Sequence, residues 1–164
     1  MNNRRIAPVS MKGNVMSDSE LIKLYSQRIL ALAADMPRTE RLTNPTATAK
    51  CRAPLCGSTV TVDVDVTDGV VTDYAQDVKA CALGQAAAAV IGTQIVGQTP
   101  GQISAARDAL VEMLKNEGPV PAAPFEGLEV LIPARDYKNR HASILLAFDA
   151  TLEALDQVSE RSCA

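Results

Sequence analysis

Two of the four cysteines in the chain, Cys56 and Cys81, stand beside backbone breaks rather than inside apolar runs. Cys56 lies in residues 54–58 (PLCGS), where proline and glycine favour a tight turn that leaves a side chain at the rim. Cys81 opens a predicted helix, where unpaired amides and the helix dipole stabilise a thiolate. A single cysteine in an aliphatic protein is usually a small core residue, but neither position is core-like. The pair is therefore a candidate for binding metal or accepting sulfur, with Cys81 as the better-placed nucleophile.

The segment between these cysteines predicts a β-hairpin. Residues 59–66 alternate valine with threonine and aspartate, which is the period-two pattern of a half-buried strand. Asp68-Gly69 is a hairpin turn signal, and residues 70–78 return as a second strand. Because the two ends of a hairpin lie side by side, the residues just outside them converge. The sequence thus predicts that the thiols of Cys56 and Cys81 meet at the open end of the hairpin.

Periodicity and proline positions predict the elements around the hairpin. A sheet of about three strands must cover its apolar face with helices, so the fold class is α+β: a small antiparallel sheet packed against four to five helices. The proline-rich segment 118–133 predicts an extended connector without interior helix. The other predicted elements are a helix over 19–35, a loop over 37–45, a strand over 46–52, and helices over 81–96, 99–115 and 140–160.

The composition of the chain argues against several classes of function. The chain of 164 residues carries a net charge of −3 with interspersed signs and only 3% aromatic residues, which disfavours binding to nucleic acid or to a membrane surface. No run approaches the roughly 20 apolar residues of a spanning helix, so we expect a cytoplasmic protein with reduced thiols. One histidine and the absence of catalytic motifs argue against a conventional hydrolase or dehydrogenase.

The domain organisation predicted from the chain is simple. We assign residues 18–160 to one domain and residues 1–17 to a disordered tail or an upstream, mistaken start. Four consecutive alanines at residues 86–89 indicate that the helix after Cys81 packs closely against another element.

Four segments of the chain resemble, in order, the NifU/IscU/SufU family of iron–sulfur cluster assembly scaffold proteins. In that family, one cysteine before the hairpin, one after it and a third at the start of the C-terminal helix hold a nascent [2Fe–2S] cluster or a zinc ion. The resemblance therefore implies a NifU/IscU-like fold and ligand roles for Cys56 and Cys81. It runs from about Leu21 to Leu155 and is carried by Leu24-Tyr25, residues 54–57 (PLCG), the Asp68-Gly69 turn and residues 78–86 (VKACALGQA).

The resemblance also implies a function and partners. It suggests a non-enzymatic scaffold that receives sulfur from a cysteine desulfurase and passes a labile cluster to iron–sulfur acceptor proteins. It leaves open whether a homodimer shares the cluster. The first alternative is a zinc-binding sulfur acceptor of the SufU type, and the second is a degenerate interaction or regulatory module of the assembly machinery.

The chain departs from the family pattern at two ligand positions. Ser58 stands where an aspartate usually follows the first Cys-Gly, and Ala142 stands where the third cysteine is expected. His141, the only histidine, precedes Ala142, and a neutral imidazole suits both iron and zinc. His141 is therefore the candidate third ligand, with a surface or helix-capping role as the alternative. Asp136 is an outside candidate for the fourth ligand.

The two remaining cysteines have weaker claims to chemistry. Cys51 is five positions before Cys56 and is a buried strand residue, a reserve ligand or a disulfide partner, of which the first is favoured. Cys163 lies next to the C-terminus, where chains are commonly mobile. We expect no site role for it.

Overall fold

The valine-alternating segment forms the central strand of a three-stranded antiparallel sheet in the computed structural model, which describes residues 17–163. The strands are β1 (Ala47–Arg52), β2 (Thr59–Thr67) and β3 (Val70–Lys79), in the order β1-β2-β3. Asp68 and Gly69 both have positive φ, 52° and 76°, as a two-residue hairpin turn requires. The predicted strands and the hairpin are confirmed. The predicted tail at residues 1–17 lies outside the described residues, except for Ser17.

The α-helices of the described segment are α1 (Asp18–Ala34), α2 (Ala82–Gln94), α3 (Pro100–Lys115) and α4 (His141–Cys163). Each lies where the sequence predicts one, and the α+β fold class is confirmed. The start of α3 follows from a capping box, because the Thr99 hydroxyl accepts from the Gln102 amide while the Gln102 side chain accepts from the Thr99 amide. The buried alanines 86–89 let α2 pack closely, as expected.

Two helices, α2 and α4, cover one face of the sheet, while α1 packs against α2 and α3 packs against α4. Val60, Val62 and Val64 point into this layer and are at most 1% exposed. Tyr74 on β3 is hydrogen-bonded through its hydroxyl to Thr151 of α4, at 3.1 Å. The side-chain Nε2 of Gln76 donates to the Ala88 carbonyl of α2, at 3.0 Å. These contacts bind α2 and α4 to the sheet, and both helices begin near the open end of the hairpin.

The prediction of an extended connector over 118–133 is wrong in its second half. A 3₁₀-helix, η1 (Glu126–Asp136), occupies it, and a further turn, η2 (Lys138–Arg140), leads into α4. Proline is compatible with this conformation, because its fixed φ suits a 3₁₀ turn and it removes only one donor. Burial provides the driving force: Phe125 packs edge-on against Phe148, with ring centroids 5.4 Å apart, and Leu128, Val130 and Leu131 are buried.

The outer edge of β3 is occupied by other parts of the chain. The Gln76 amide donates to the Arg38 carbonyl, at 2.8 Å. At the other end, the Val71 amide donates to the Gln98 carbonyl and the Gly97 amide donates to the Val71 carbonyl, at 3.0 and 2.8 Å. Covering an edge in this way satisfies backbone groups that could otherwise pair with another molecule.

The loop predicted over 37–45 crosses the other face of the sheet and is fastened by Asp63 of β2. This carboxylate is 1% exposed and accepts from Arg41 Nε and Nη2 at 2.6 and 2.9 Å, from the Leu42 amide at 3.1 Å and from the Thr48 hydroxyl at 2.7 Å. The Arg41 hydrogen bond is the largest of the causes that hold the pKa of Asp63 below its ordinary value. None of the helices in residues 17–163 is long and apolar enough to cross a membrane.

The substitution Asp63→Asn should destabilise the fold. Because the pKa of Asp63 is lowered, the folded state favours its ionised form, and this stabilisation is present above the unfolded-state pKa of about 4. We expect a loss of about 2 kcal/mol in the free energy of unfolding at neutral pH, measured by urea denaturation. The gap to wild type should close as the pH falls through and below about 4.

Asp73→Asn is the matched control for this measurement. Asp73 faces Arg38 at 3.4 Å with both side chains partly exposed, so its loss should change the free energy of unfolding by at most about 0.5 kcal/mol. Equal stabilities of Asp63→Asn and wild type at neutral pH would contradict the prediction.

Candidate functional site

Cys56 lies in a tight turn between β1 and β2. The turn is closed by two backbone hydrogen bonds, from the Ala53 amide to the Ser58 carbonyl at 2.8 Å and from the Gly57 amide to the Ala53 carbonyl at 2.9 Å. Gly57 has a φ of +73°, a conformation in which a side chain is strained. The tip of the turn, including Leu55, is exposed, and Cys56 itself is half-buried.

Cys81 lies at the other side of the same hairpin end. It is the N-cap of α2, with extended backbone angles and no side-chain capping bond. Thr59 of β2 pairs with Lys79 of β3, so the chain on either side of this pair leads directly to Cys56 and to Cys81. The Cys81 side chain is half-buried and its thiol is free.

Two buried serines connect the two thiols. Ser58 and Ser143 are 4% and 2% exposed. The Cys56 sulfur lies 3.2 Å from the Ser58 hydroxyl, the two serine hydroxyls are 3.0 Å apart, and the Ser143 hydroxyl lies 3.6 Å from the Cys81 sulfur. We call this chain of contacts the serine bridge. It brings residues from the β1–β2 turn, α2 and α4 into one site.

The hydrogen bond between the two serines determines which groups can donate along the rest of the serine bridge. Ser143 donates to Ser58, so its only proton is not available to Cys81. In the protonated site the Cys81 thiol therefore donates to Ser143, and Ser58 is left to donate to the Cys56 sulfur. As a thiolate, Cys56 can only accept at this end of the bridge.

Hydrogen bonding favours the thiolate of Cys56. Its pKa is below the ordinary value of a thiol, first because of the Ser58 hydroxyl, and then because of the Ser58 amide, the Ser143 hydroxyl and the positive charge of Arg140. Helix position alone favours Cys81 as the nucleophile. In the structure, hydrogen-bond donors favour a thiolate at Cys56 as well, and which of the two cysteines is the nucleophile stays a prediction.

His141 does not join the two cysteines in a metal-binding group. It is 4% exposed, and its Nε2 lies 2.9 Å from the Ala134 carbonyl, which can only accept, so Nε2 carries the proton. Residues two apart on a helix point in different directions, and Ser143 is the residue directed at the cysteines. Residues 17–163 contain no group of three or more His, Cys, Asp and Glu side chains that could hold a metal ion.

The expected three-residue set of Cys56, Cys81 and His141 is thus not assembled in this structure, and neither Asp136 nor Ala142 adds to it. Asp136 and Ala142 are both exposed. The ligand roles of the two cysteines stay a prediction.

Ser143 is the site residue that the sequence analysis missed. Gly84 was the available signal: a Cβ built at this position would lie 2.4 Å from the Ser143 hydroxyl and 2.9 Å from the Ala80 Cβ. Glycine is therefore required where α2 passes the first turn of α4. A glycine inside a helix is compatible with such a close approach, but it does not say which residue approaches.

Cys51 has an ordinary structural environment. It lies on β1, half-buried, and its thiol donates to a carboxylate oxygen of Glu153 on α4, at 2.9 Å. Burial first, and then Glu153, raise the pKa of Cys51 to about 12, so the thiol is protonated near neutral pH. Cys51 forms no disulfide in this structure, so the disulfide alternative does not apply. Its place on β1 agrees with the favoured prediction of a strand residue. The side chain of Cys163 lies outside the described residues.

Known proteins resemble this chain over most of its length, although no family model matches it. The crystal structure of the N-terminal part of a nitrogen-fixing NifU-like protein from Brucella abortus is 48% identical, with a TM-score of 0.81, covering 84% of this chain and 95% of that one. The iron–sulfur cluster assembly scaffold protein IscU of Thermotoga maritima is 24% identical over 136 residues, covering 83% of this chain and 95% of IscU.

A third relative shares the fold at lower identity. It is a protein of Fervidobacterium islandicum AW-1, assigned as an iron–sulfur cluster assembly scaffold for the SUF system. It is 20% identical, has a TM-score of 0.70, and covers 84% of this chain and 98% of its own.

Thiol labelling near neutral pH should distinguish Cys56 from Cys51. Iodoacetamide reacts with thiolates, so Cys56, with its lowered pKa, should be modified first, and Cys51 only after denaturation. Peptide mass spectrometry measures both rates. Ser58→Ala should slow labelling of Cys56, and Glu153→Gln should speed labelling of Cys51. Labelling of Cys51 as fast as Cys56 in the folded protein would be the contrary result.

The substitution Gly84→Ala should disturb the packing of α2 on α4. The added methyl group meets the Ser143 hydroxyl, and such overpacking costs about 1–3 kcal/mol. Gly101→Ala is the control, because its Cβ would have the Thr99 hydroxyl at 4.0 Å as its nearest neighbour; we expect it to be neutral or stabilising by up to about 1 kcal/mol. Urea denaturation of both variants measures this, and equal midpoints would count against the close approach.

Proposed function

This chain belongs to the family of NifU/IscU/SufU-type iron–sulfur cluster assembly scaffold proteins, and we propose that it holds a labile [2Fe–2S] cluster or a zinc ion through Cys56 and Cys81. In this proposal it acts as a scaffold rather than an enzyme. The observation that carries the proposal is the serine bridge, which joins two free thiols of the described residues at one end of the hairpin. Membership of the family supplies the kind of cargo.

Sulfur delivery fits the exposure and charge of the site. Cys56 is half-buried beside an exposed tip, so a partner can reach it. Its lowered pKa favours the thiolate, which is the nucleophilic form. A cysteine desulfurase carries sulfur as a persulfide: the Cys56 thiolate would form a bond to the outer sulfur while the bond to the inner sulfur breaks, and the desulfurase cysteine leaves as a thiolate. No oxidant is needed for this exchange.

The number of ligands makes the cargo site incomplete in a single chain. A [2Fe–2S] cluster takes four protein ligands and a structural zinc site also takes four. Cys56 and Cys81 supply two, and His141 is directed at the Ala134 carbonyl. In our proposal a second copy of the chain or a partner supplies the rest, and two copies together would bring four thiolates. An incomplete site also releases its cargo readily to acceptor proteins by ligand exchange.

In this proposal the free thiols also favour a reducing cellular compartment. Cys51, Cys56 and Cys81 are all unpaired, which suits a reducing compartment such as the cytoplasm. A cysteine desulfurase and iron–sulfur acceptor proteins would be the partners there.

A second candidate function is an interaction or regulatory module that binds the assembly machinery without cargo. The observation in its favour is that residues 17–163 contain no group of three metal-binding side chains. Ser58 and Ala142, in place of an acid and a thiol, agree with this alternative.

Anaerobic reconstitution with ferrous iron and sulfide tests the proposal. Wild type should develop the visible absorption bands of a cluster, and Cys56→Ala or Cys81→Ala should abolish them because each removes half of the available thiolates. Zinc binding, measured in parallel, covers the other cargo. Cys51→Ala is the control and should load normally, since its thiol is protonated and bonded to Glu153.

His141→Ala reports on the third ligand in the same experiment. Loading equal to wild type would agree with the observed direction of its ring, whereas loss of cargo would return His141 to the ligand set. Wild type that takes up neither cluster nor zinc would overturn the scaffold proposal and favour the interaction module.

A further inference from the structure

We infer that Ser58 and Ser143 are positioning residues of the two-cysteine site, donating one O–H···S hydrogen bond to each cargo-bearing sulfur and raising the reduction potential of a bound cluster. The inference rests on the proposed function and specifies how the site holds its cargo. It is carried by the geometry of the serine bridge.

Ser58 and Ser143 are 4% and 2% exposed, and a hydroxyl removed from water costs free energy unless it is hydrogen-bonded. The partners found for these two hydroxyls within residues 17–163 are each other and the sulfurs of Cys56 and Cys81. Two buried hydroxyl groups directed only at sulfur and at one another are therefore part of the site.

The serine bridge has three contacts, and in the metal-free site they can be filled by the two hydroxyl protons and the Cys81 thiol proton. When both sulfurs bind metal, no thiol proton remains, and two hydroxyl protons face two thiolate sulfurs. A serine hydroxyl proton rotates freely about its C–O bond, so Ser143 can turn from Ser58 to Cys81. Each sulfur then accepts one charge-assisted hydrogen bond.

Both serines are held in place by the elements around them. Ser58 immediately precedes β2, and its carbonyl is held by the Ala53 amide at 2.8 Å. Ser143 lies in the first turn of α4, against the surface that Gly84 leaves open. Donors on fixed elements keep their distance to sulfur when the cargo changes charge. Both hydroxyls would therefore stay within reach of the two sulfurs in either oxidation state of a bound cluster.

The two hydroxyls would affect the reduction potential of a bound cluster. Hydrogen bonds to the sulfurs are among the factors that set the potential of an iron–sulfur cluster. A donor stabilises the reduced cluster, which is the more negatively charged form, more than the oxidised one. Removing a hydroxyl should therefore make the potential more negative, and replacing Ser58 by an ionised aspartate, which has no proton to donate, should do so more strongly.

The test is the midpoint potential of the anaerobically reconstituted full-length protein. Ser58→Ala, Ser143→Ala and Ser58→Asp should each shift it to more negative values, in that last case by the largest amount. Ser58→Thr, which keeps a hydroxyl, should stay nearest to wild type. Ser104→Ala, an exposed serine on α3, is the control and should show no shift. Circular dichroism establishes that the variants are folded.

Cobalt(II) provides a second measurement that does not require a cluster. Donation to sulfur lowers the energy of its lone pairs, so the sulfur-to-cobalt charge-transfer band of Ser58→Ala and Ser143→Ala should move to lower energy than that of wild type. Unchanged potentials and bands in both alanine variants would overturn the inference while leaving the scaffold proposal intact. Wild type that takes up neither cluster nor metal would overturn both.

Discussion

The antiparallel pairing of β2 with β3 is the constraint on which the site and the core both depend. Its register is set by the two-residue turn at Asp68-Gly69 together with a one-residue bulge in β3 opposite Asp65 and Val66, and it places Val62 opposite Gln76 and Thr59 opposite Lys79. A slip of one residue would turn every side chain of β2 to the opposite face, moving the valines out of the core and Asp63 into it. The same slip would separate the turn that carries Cys56 from the helix start at Cys81. Because the core packing stabilises this register, it also keeps Cys56 and Cys81 close to each other.

The second element of the site depends on contact between two helices. α4 begins at His141, after a 3₁₀ segment buried by Phe125 and its neighbours, and reaches the cysteines with its first turn. α2 presents Gly84 there and a row of alanines further along. Small residues on α2 let the two helices approach closely, and this is the reason that a hydroxyl from residue 143 can lie between residues 58 and 81. The positions of Ser143 and of the two cysteines therefore depend on packing in the protein interior.

Most of the fold and half of the site could be predicted from the sequence, because the signals are local. Valine alternation, one Asp-Gly turn and helical periodicity involve residues within a few positions of one another. The segment 118–133 was predicted less well, since its prolines are visible in the sequence while the burial of Leu128 and Leu131 depends on partners far along the chain. Ser143 was missed for the same reason: it contacts residues 85 and 62 positions away. His141 could be placed by resemblance, but not the direction of its ring.

The hydrogen bonds along the outer edge of β3 limit how other proteins can bind. Arg38 and residues 97–98 already use the backbone of this strand, so an extended peptide cannot lengthen the sheet there without breaking them. Of the strands in the described part of the chain, only β1 has an outer edge without a neighbouring strand or these loops. A partner that approaches the cysteines from the β3 side must therefore recognise side chains and the exposed turn at residues 54–57. Recognition of that kind changes with single substitutions at the turn, while the fold stays the same.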